Sequence, residues 1–354
     1  MDTRYLLIFG SGLLGGSLSL WGGLPMPFML GGIFGAASFV LFYEKNGRKS
    51  PVMSRWVRLG FMALIGAIIG SRFSAEVLQI LPDFWQSGLA LFPYIILAHG
   101  GSYLIMCRLG NYRRQDAYFA TLPGGIIDSI ALAEQMGADL KIVTTQHFIR
   151  IILVVVSIPF LFLAIGGQTV GSAAGISMTN SDLNYRDLAI LIAIAAAGLC
   201  VGRLTRLPAS HMMGPLLIAL TLSVTDTISL SAPNWLLDIA QYFIGTALGA
   251  QFSGITVKAL MSGLKVGIFI GAYMLGIGAL TALALKDLVP ADFQALFVSF
   301  AAGGLAEMSL IALSLNFNPV VVALHHLCRI ILTVITGAFV AKLVFNYKKY
   351  DEKL

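Results

Sequence analysis

The chain has 354 residues, of which 57% are hydrophobic and only 11% charged, and its mean hydropathy is +0.85. No ordinary soluble domain of this length has such a composition, so the chain is read as an all-α polytopic membrane protein. The net charge of +6 then reports topology and contact with anionic lipid headgroups, and nothing points to a nucleic-acid partner.

Taken in chain order, Met1-Asp2-Thr3-Arg4 leads straight into apolar sequence without a small-residue cleavage site. It is read as the first span and not as a removable signal peptide. Leu24-Pro25 with Gly31 marks a turn into a glycine-rich span, and the basic connection Lys45 to Arg58 follows. Ile65-Gly66-x-x-x-Gly70 predicts a close helix contact. A second basic connection, Arg108 to Arg114, precedes an element from Tyr118 to Gly137 that holds Pro123-Gly124-Gly125 at its middle. A continuous helix is least favoured there. Asp128 lies just beyond the glycines, and the apolar run Ile142–Ile165, long enough to cross about 30 Å of hydrocarbon, includes His147 and Arg150.

The same order then recurs. Leu207-Pro208 with Gly214, Ile244-Gly245-x-x-x-Gly249, the apolar run Leu264–Leu285, the element Phe293 to Leu315 with Gly303-Gly304 and Glu307, and finally His326 with Arg329 answer to the first set. The offset is 183 residues in the Leu-Pro block and 179 in every later one. A tandem duplication therefore covers nearly the whole chain. The expected organisation is a first membrane repeat over 1–165, an external linker over 166–186, a second repeat over 187–346 and a cytoplasmic tail over 347–354. Cys107, Cys200 and Cys328 are odd in number and far apart, and read as small apolar packing residues.

Charge sets the orientation of the halves. Lys45 to Arg58 carries five Lys/Arg and Arg108 to Arg114 three, whereas the matching stretches Asp226 to Asp238 and Lys286 to Asp292 carry none and one. Conversely, Trp21 to Pro25 and Leu81 to Trp85 lack basic residues, while their partners carry Arg203 with Arg206 and Lys258 with Lys265. By the positive-inside rule, equivalent loops lie on opposite faces. Inversion needs an odd number of crossings per half, yet six apolar elements are visible. The fold is thus expected to be two inverted-topology repeats, each of about five transmembrane helices plus one re-entrant or broken Gly-Gly element. Of the 23 Lys/Arg, this places 18 inside, Arg186 and Lys286 outside, and Arg72, Arg150 and Arg329 within the membrane. Both termini are expected in the cytoplasm.

The repeated polar residues are the candidate site: Gly124, Gly125, Asp128, His147 and Arg150 with Gly303, Gly304, Glu307, His326 and Arg329. A charge inside hydrocarbon is costly, so an acid and an arginine placed there twice suggest a working site. A helix starting after Gly125 or Gly304 offers free N–H groups and the positive end of its dipole, the arrangement found at the midplane of inverted-repeat transporters. Asp128 and Glu307, in the first turn, are read as a site for Na⁺ or a proton, with helix capping as the alternative. Arg150 and Arg329 are read either as ligands of an anionic solute or as counter-ions of Asp128 and Glu307. Salt-bridge or ligand-sharing distances are expected between each acid and its arginine, near a pseudo-twofold axis. The histidines suit either a proton relay or a satisfied core position, the latter slightly favoured. His99, His211 and Arg72 fall outside the symmetric set.

Thr121-Leu-Pro-Gly-Gly125, Gly137-Ala-Asp139 and His147-x-x-Arg150, with Ala302-Gly-Gly-Leu-Ala-Glu-Met308 and His325-His326-x-x-Arg329, resemble the bacterial AbrB membrane-protein family over essentially the whole chain. One departure is Ala302 in place of the first copy's Pro123, which implies a gentler second break. The resemblance implies a multi-pass protein of the bacterial inner membrane, under labels ranging from ammonia monooxygenase to regulator of gene expression to transporter. Copper chemistry on ammonia needs a compact histidine set, whereas adjacent His325 and His326 point about 100° apart on a helix. An enzyme is therefore the less favoured reading. The favoured one is a secondary transporter of a small anionic organic solute, coupled to H⁺ or Na⁺ and without a resident cofactor. Its partners are the lipid bilayer and the solute, with a homodimer left open. A regulatory role in gene expression, direct or through the solute moved, is the first alternative, and a monooxygenase-type oxidoreductase the second.

Overall fold

A computed structural model of the chain describes residues 3–45, 47–50, 55–74, 79, 81–166, 184–205, 209–230, 232–315 and 317–345. The tail over 347–354, the Leu207-Pro208 turn and most of the linker over 166–186 lie outside the described residues.

Those residues form fourteen α-helices: α1 Thr3–Trp21, α2 Pro27–Lys45, α3 Arg55–Gly70, α4 Trp85–Arg108, α5 Arg114–Thr121, α6 Ile126–Gln135, α7 Leu140–Gly166, α8 Tyr185–Leu204, α9 Ser210–Val224, α10 Asn234–Ala250, α11 Val257–Leu285, α12 Phe293–Phe300, α13 Leu305–Ser314 and α14 Pro319–Val344. Six are long and apolar enough to cross a membrane, namely α2, α4 with its preceding turn, α7, α8, α11 and α14. Large apolar side chains such as Phe42, Ile96, Phe269 and Phe339 are exposed on them. In water such a surface would drive aggregation, whereas lipid solvates it. The chain is a multi-span helical membrane protein.

Both Gly-Gly elements are broken at the expected place. Eight-residue α5 and ten-residue α6 flank an extended stretch at 122–125, and α12 and α13, of the same two lengths, flank 301–304. Ala302 does not soften the second break. The glycines are not there for left-handed backbone, since Gly125 has φ −66° and Gly304 φ −78°. They make room. A Cβ on Gly125 would strike the Asp128 carboxylate, one on Gly304 the Glu307 carboxylate, and one on Gly124 the Thr333 side chain.

The two halves interleave. Helices α1–α3 pack with α8–α10 into one bundle, and α4–α7 with α11–α14 into another; the two touch mainly through α3, α10, α13 and α14. In the first bundle Gly66 and Gly70 of α3 lie on the backbone of Met212 and Leu216 in α9. Gly245 and Gly249 of α10 lie in the same way on Met29 and Ile33 in α2. In the second bundle the ends of the first broken element meet. Asp116 at the start of α5 takes a bidentate pair from Arg113 (2.9 and 3.2 Å) and accepts the Asp139 N–H at 2.8 Å. Arg113 also donates to the Gly137 carbonyl at 2.9 Å. The chain therefore enters α5 and leaves α6 at one spot.

Candidate functional site

Between the bundles lies a cavity of about 510 Å³. Its walls include Gly124, Gly125, Asp128 and Arg150 from the first half and Gly303, Gly304, Glu307 and Arg329 from the second. Eight of the ten residues singled out in the sequence are thus brought together. His147 and His326 are not among the lining residues; they stand behind the wall, fully buried.

Local geometry explains how each acid reaches its place. With Gly125 as the N-cap of α6, Asp128 is the third helical residue, and Glu307 holds the same position behind Gly304 in α13. From there a carboxylate folds back over the N-terminus, as the acid of a capping box does. Each carboxylate lies against its N-cap glycine, where an added Cβ would strike it. The positive end of each helix dipole favours a carboxylate at that position.

The expected ion pairs do not form: Asp128 and Arg150, and Glu307 and Arg329, make no salt bridge among the described residues. Instead, Arg150 Nη1 donates to the Leu122 carbonyl at 2.7 Å and Nη2 to His147 Nδ1 at 3.0 Å. Arg329 Nη1 donates to the Ala301 carbonyl and Nη2 to the Gly303 carbonyl at 2.9 Å. Leu122 and Ala301 are the C-caps of α5 and α12, the negative ends of those helices, whose orphan carbonyls need donors. Each guanidinium holds a break open from behind. The acids, three residues into the following helices, are nearer their own N-termini and are matched there.

The two copies differ in their histidines. His147 accepts from Arg150 at Nδ1, so its proton is on Nε2, which donates to the Phe119 carbonyl at 2.9 Å. His326 carries its proton on Nδ1, donating to the Val322 carbonyl at 2.9 Å. His325 turns away to α4, where its Nε2 meets Ser87 Oγ at 2.8 Å.

Several wall residues escaped the sequence reading. Arg58 counts there as a loop base, and His211 as unpaired, yet both line the cavity, as does Gln251. Arg58 lies within electrostatic reach of His211 and Glu307. Tyr94 is buried beside Arg329. Its counterpart 179 residues on, Tyr273, donates to the Leu97 carbonyl at 2.9 Å. Arg58, His211 and Gln251 share one signal: each stands where the repeat breaks its own symmetry, opposite Leu237, Phe28 and Arg72.

A multi-span membrane protein with two broken Gly-Gly elements on one central cavity is the class that fold and site define. The chain belongs to the AbrB family, whose model, described as "Transition state regulatory protein AbrB", matches residues 6–345. It is similar to "Uncharacterized protein YhjN" of Bacillus subtilis (strain 168), at 26% identity over 94% of this chain and 90% of that one. It is also similar to "Putative regulator AbrB" of Escherichia coli (strain K12), at 25% identity over 82% of this chain and 83% of the other.

Proposed function

We propose that this protein is a secondary transporter of a small anionic organic solute, coupled to H⁺ or Na⁺ and built from two inverted repeats. The observation that carries the reading is the cavity itself, to which each half contributes one broken element and one buried arginine. Irregular backbone at membrane depth is stable only where protein buries it or it lines a cavity. Paired broken helices around a midplane site are the signature of inverted-repeat transporters.

Two further observations support the repeats. The glycine contacts of α3 on α9 and of α10 on α2 exchange equivalent residues between the halves, as a twofold interface does. The bonds from Arg113 and Asp116 to Gly137 and Asp139 suit an element that re-enters on the side it came from. Five crossings per half (α1–α4 and α7; α8–α11 and α14) then invert the second half and leave both termini in the cytoplasm of a bacterial inner membrane. Arg58, in the cavity wall, ends the basic connection Lys45 to Arg58, so its side of the cavity faces the cytoplasm on this reading. Displacement of one bundle against the other would expose the cavity to the opposite side.

A regulatory role is the second reading, supported by the names "Transition state regulatory protein AbrB" and "Putative regulator AbrB". A transporter acts on gene expression through the solute it moves. The test is direct. Inside-out vesicles from cells producing the protein are given a mixture of small organic acids and a proton or sodium gradient, and retained solutes are read by mass spectrometry. Gradient-dependent accumulation of at least one acid, beyond that in vesicles without the protein, is expected. Accumulation of none overturns the reading.

A further inference from the structure

The cavity wall carries three guanidiniums and two carboxylates: Arg58, Arg150 and Arg329 against Asp128 and Glu307. Two of these five groups already have hydrogen-bond partners, and two more lie over helix N-termini. Arg150 and Arg329 spend their Nη groups on the carbonyls at the ends of α5 and α12. The two acids sit over the N-termini of α6 and α13. Arg58 differs: it is half-buried and makes no hydrogen bond or ion pair among the described residues. It also has no symmetric counterpart, because Leu237, buried at 5% exposure, stands 179 residues on.

We propose that Arg58 is the anion-docking group of this cavity, and that the site takes a monocarboxylate with an apolar body. The proposal deepens the transporter reading and rests on it for the passage of that solute across the membrane. With His211 neutral, both carboxylates ionised and no coupling ion bound, three cations against two carboxylates leave the wall one positive charge in excess. One carboxylate cancels it, whereas a dianion would leave a net negative charge in a low-dielectric site, at high cost. A planar guanidinium matches a carboxylate with two parallel hydrogen bonds. The rest of the solute meets Met62, Phe148, Leu248, Ile331 and Val334, a surface that gains by covering hydrocarbon and offers a polar chain no partner. A volume of about 510 Å³ lies in the lower half of the range of ordinary ligand pockets.

Phenylacetate and isovalerate serve as probes, with phenylacetamide as the uncharged isostere and succinate as the dianion. Binding to purified full-length protein in detergent is read by calorimetry and by shift of the unfolding temperature. Both monocarboxylates are expected to bind, and the amide and succinate at least about tenfold more weakly, the scale of a lost charged hydrogen bond. Arg58→Leu, which installs the residue of the twin position, should lose phenylacetate affinity by the same factor, and Arg58→Lys should recover part of it. Unfolding temperatures of the unliganded variants report that they fold. The proposal is overturned if neither acid binds, if phenylacetamide binds as well as phenylacetate, or if folded Arg58→Leu and Arg58→Lys bind phenylacetate like the wild type. Arg58-dependent binding without uptake into proteoliposomes would support the docking role and sink the transporter reading instead. Gradient-driven phenylacetate uptake undiminished in Arg58→Leu would do the reverse.

Discussion

Arg150 closes the C-terminal end of α5 by donating to the Leu122 carbonyl at 2.7 Å, 28 residues back along the chain. Arg329 closes α12 on Ala301 across the same interval. A helix that stops in the membrane interior leaves carbonyls facing a medium without water, where an unmade hydrogen bond is costly. A guanidinium supplies several donors at once and carries the charge that the negative helix end favours. The break and the arginine are thus one device.

Arg150→Leu leaves the Leu122 carbonyl and His147 Nδ1 without their donor. It should lower stability by about 2–3 kcal/mol, the cost of losing hydrogen bonds to a charged group. Arg150→Lys should recover only part, because an ammonium lacks the fixed fork that reaches both acceptors. Thermal unfolding of detergent-solubilised protein measures both, and wild-type stability in Arg150→Leu would contradict the role.

Asp128→Asn is expected to behave otherwise. Because Arg150 does not depend on Asp128 for a partner, stability should change by no more than about 1 kcal/mol, the scale of a helix cap. Gradient-driven accumulation should nevertheless fall sharply if the carboxylate carries the coupling ion. A large loss of stability, comparable with Arg150→Leu, would restore the ion-pair reading that the geometry replaces.

Gly70→Val and Gly249→Val each push a branched side chain into backbone, at Leu216 and Ile33 respectively. Each should destabilise by about 1–3 kcal/mol or more. Gly60→Ala, where nothing stands within 4 Å, should be neutral or slightly stabilising through its helix propensity. Equal effects at all three sites would show that the close crossings of α3 on α9 and α10 on α2 are not where these glycines matter.

Ser50 and Ser253 come from different halves, and their hydroxyl oxygens lie 2.7 Å apart, both held by Glu44. In a background without the native cysteines, Ser50→Cys with Ser253→Cys should form a disulfide under mild oxidation, since the side chains already meet. Thiol labelling before and after reduction reads it. Persistently free thiols would mean that the α2–α3 and α10–α11 connections are not neighbours.

Orientation is checked with single cysteines at two exposed positions, Lys49 and Thr227. An impermeant thiol reagent applied to intact cells should label Thr227→Cys and spare Lys49→Cys. Identical behaviour of the two would end the inverted-repeat proposal.

Much of this was legible without coordinates. Composition alone placed the chain in a membrane, because a surface as apolar as Ile96 and Phe339 is stable only in lipid. The two breaks were marked by Pro123-Gly124-Gly125 and Gly303-Gly304, where local backbone chemistry disfavours a helix whatever surrounds it. The register of 179 residues named Asp128, Arg150, Glu307 and Arg329 as equivalents, since repetition is a property of the string itself. Register does not say which atoms meet. Asp128 sits three residues from the N-cap of its own helix, a local solution that outcompetes a distant arginine, and Arg150 meets Leu122 only because α7 packs beside α5. Arg58 is the fourth residue of α3 by number. That it faces Glu307 across a cavity depends on how α3 crosses α13 and on the gap left between two bundles, both set by packing shape over long range, which no short stretch of sequence encodes.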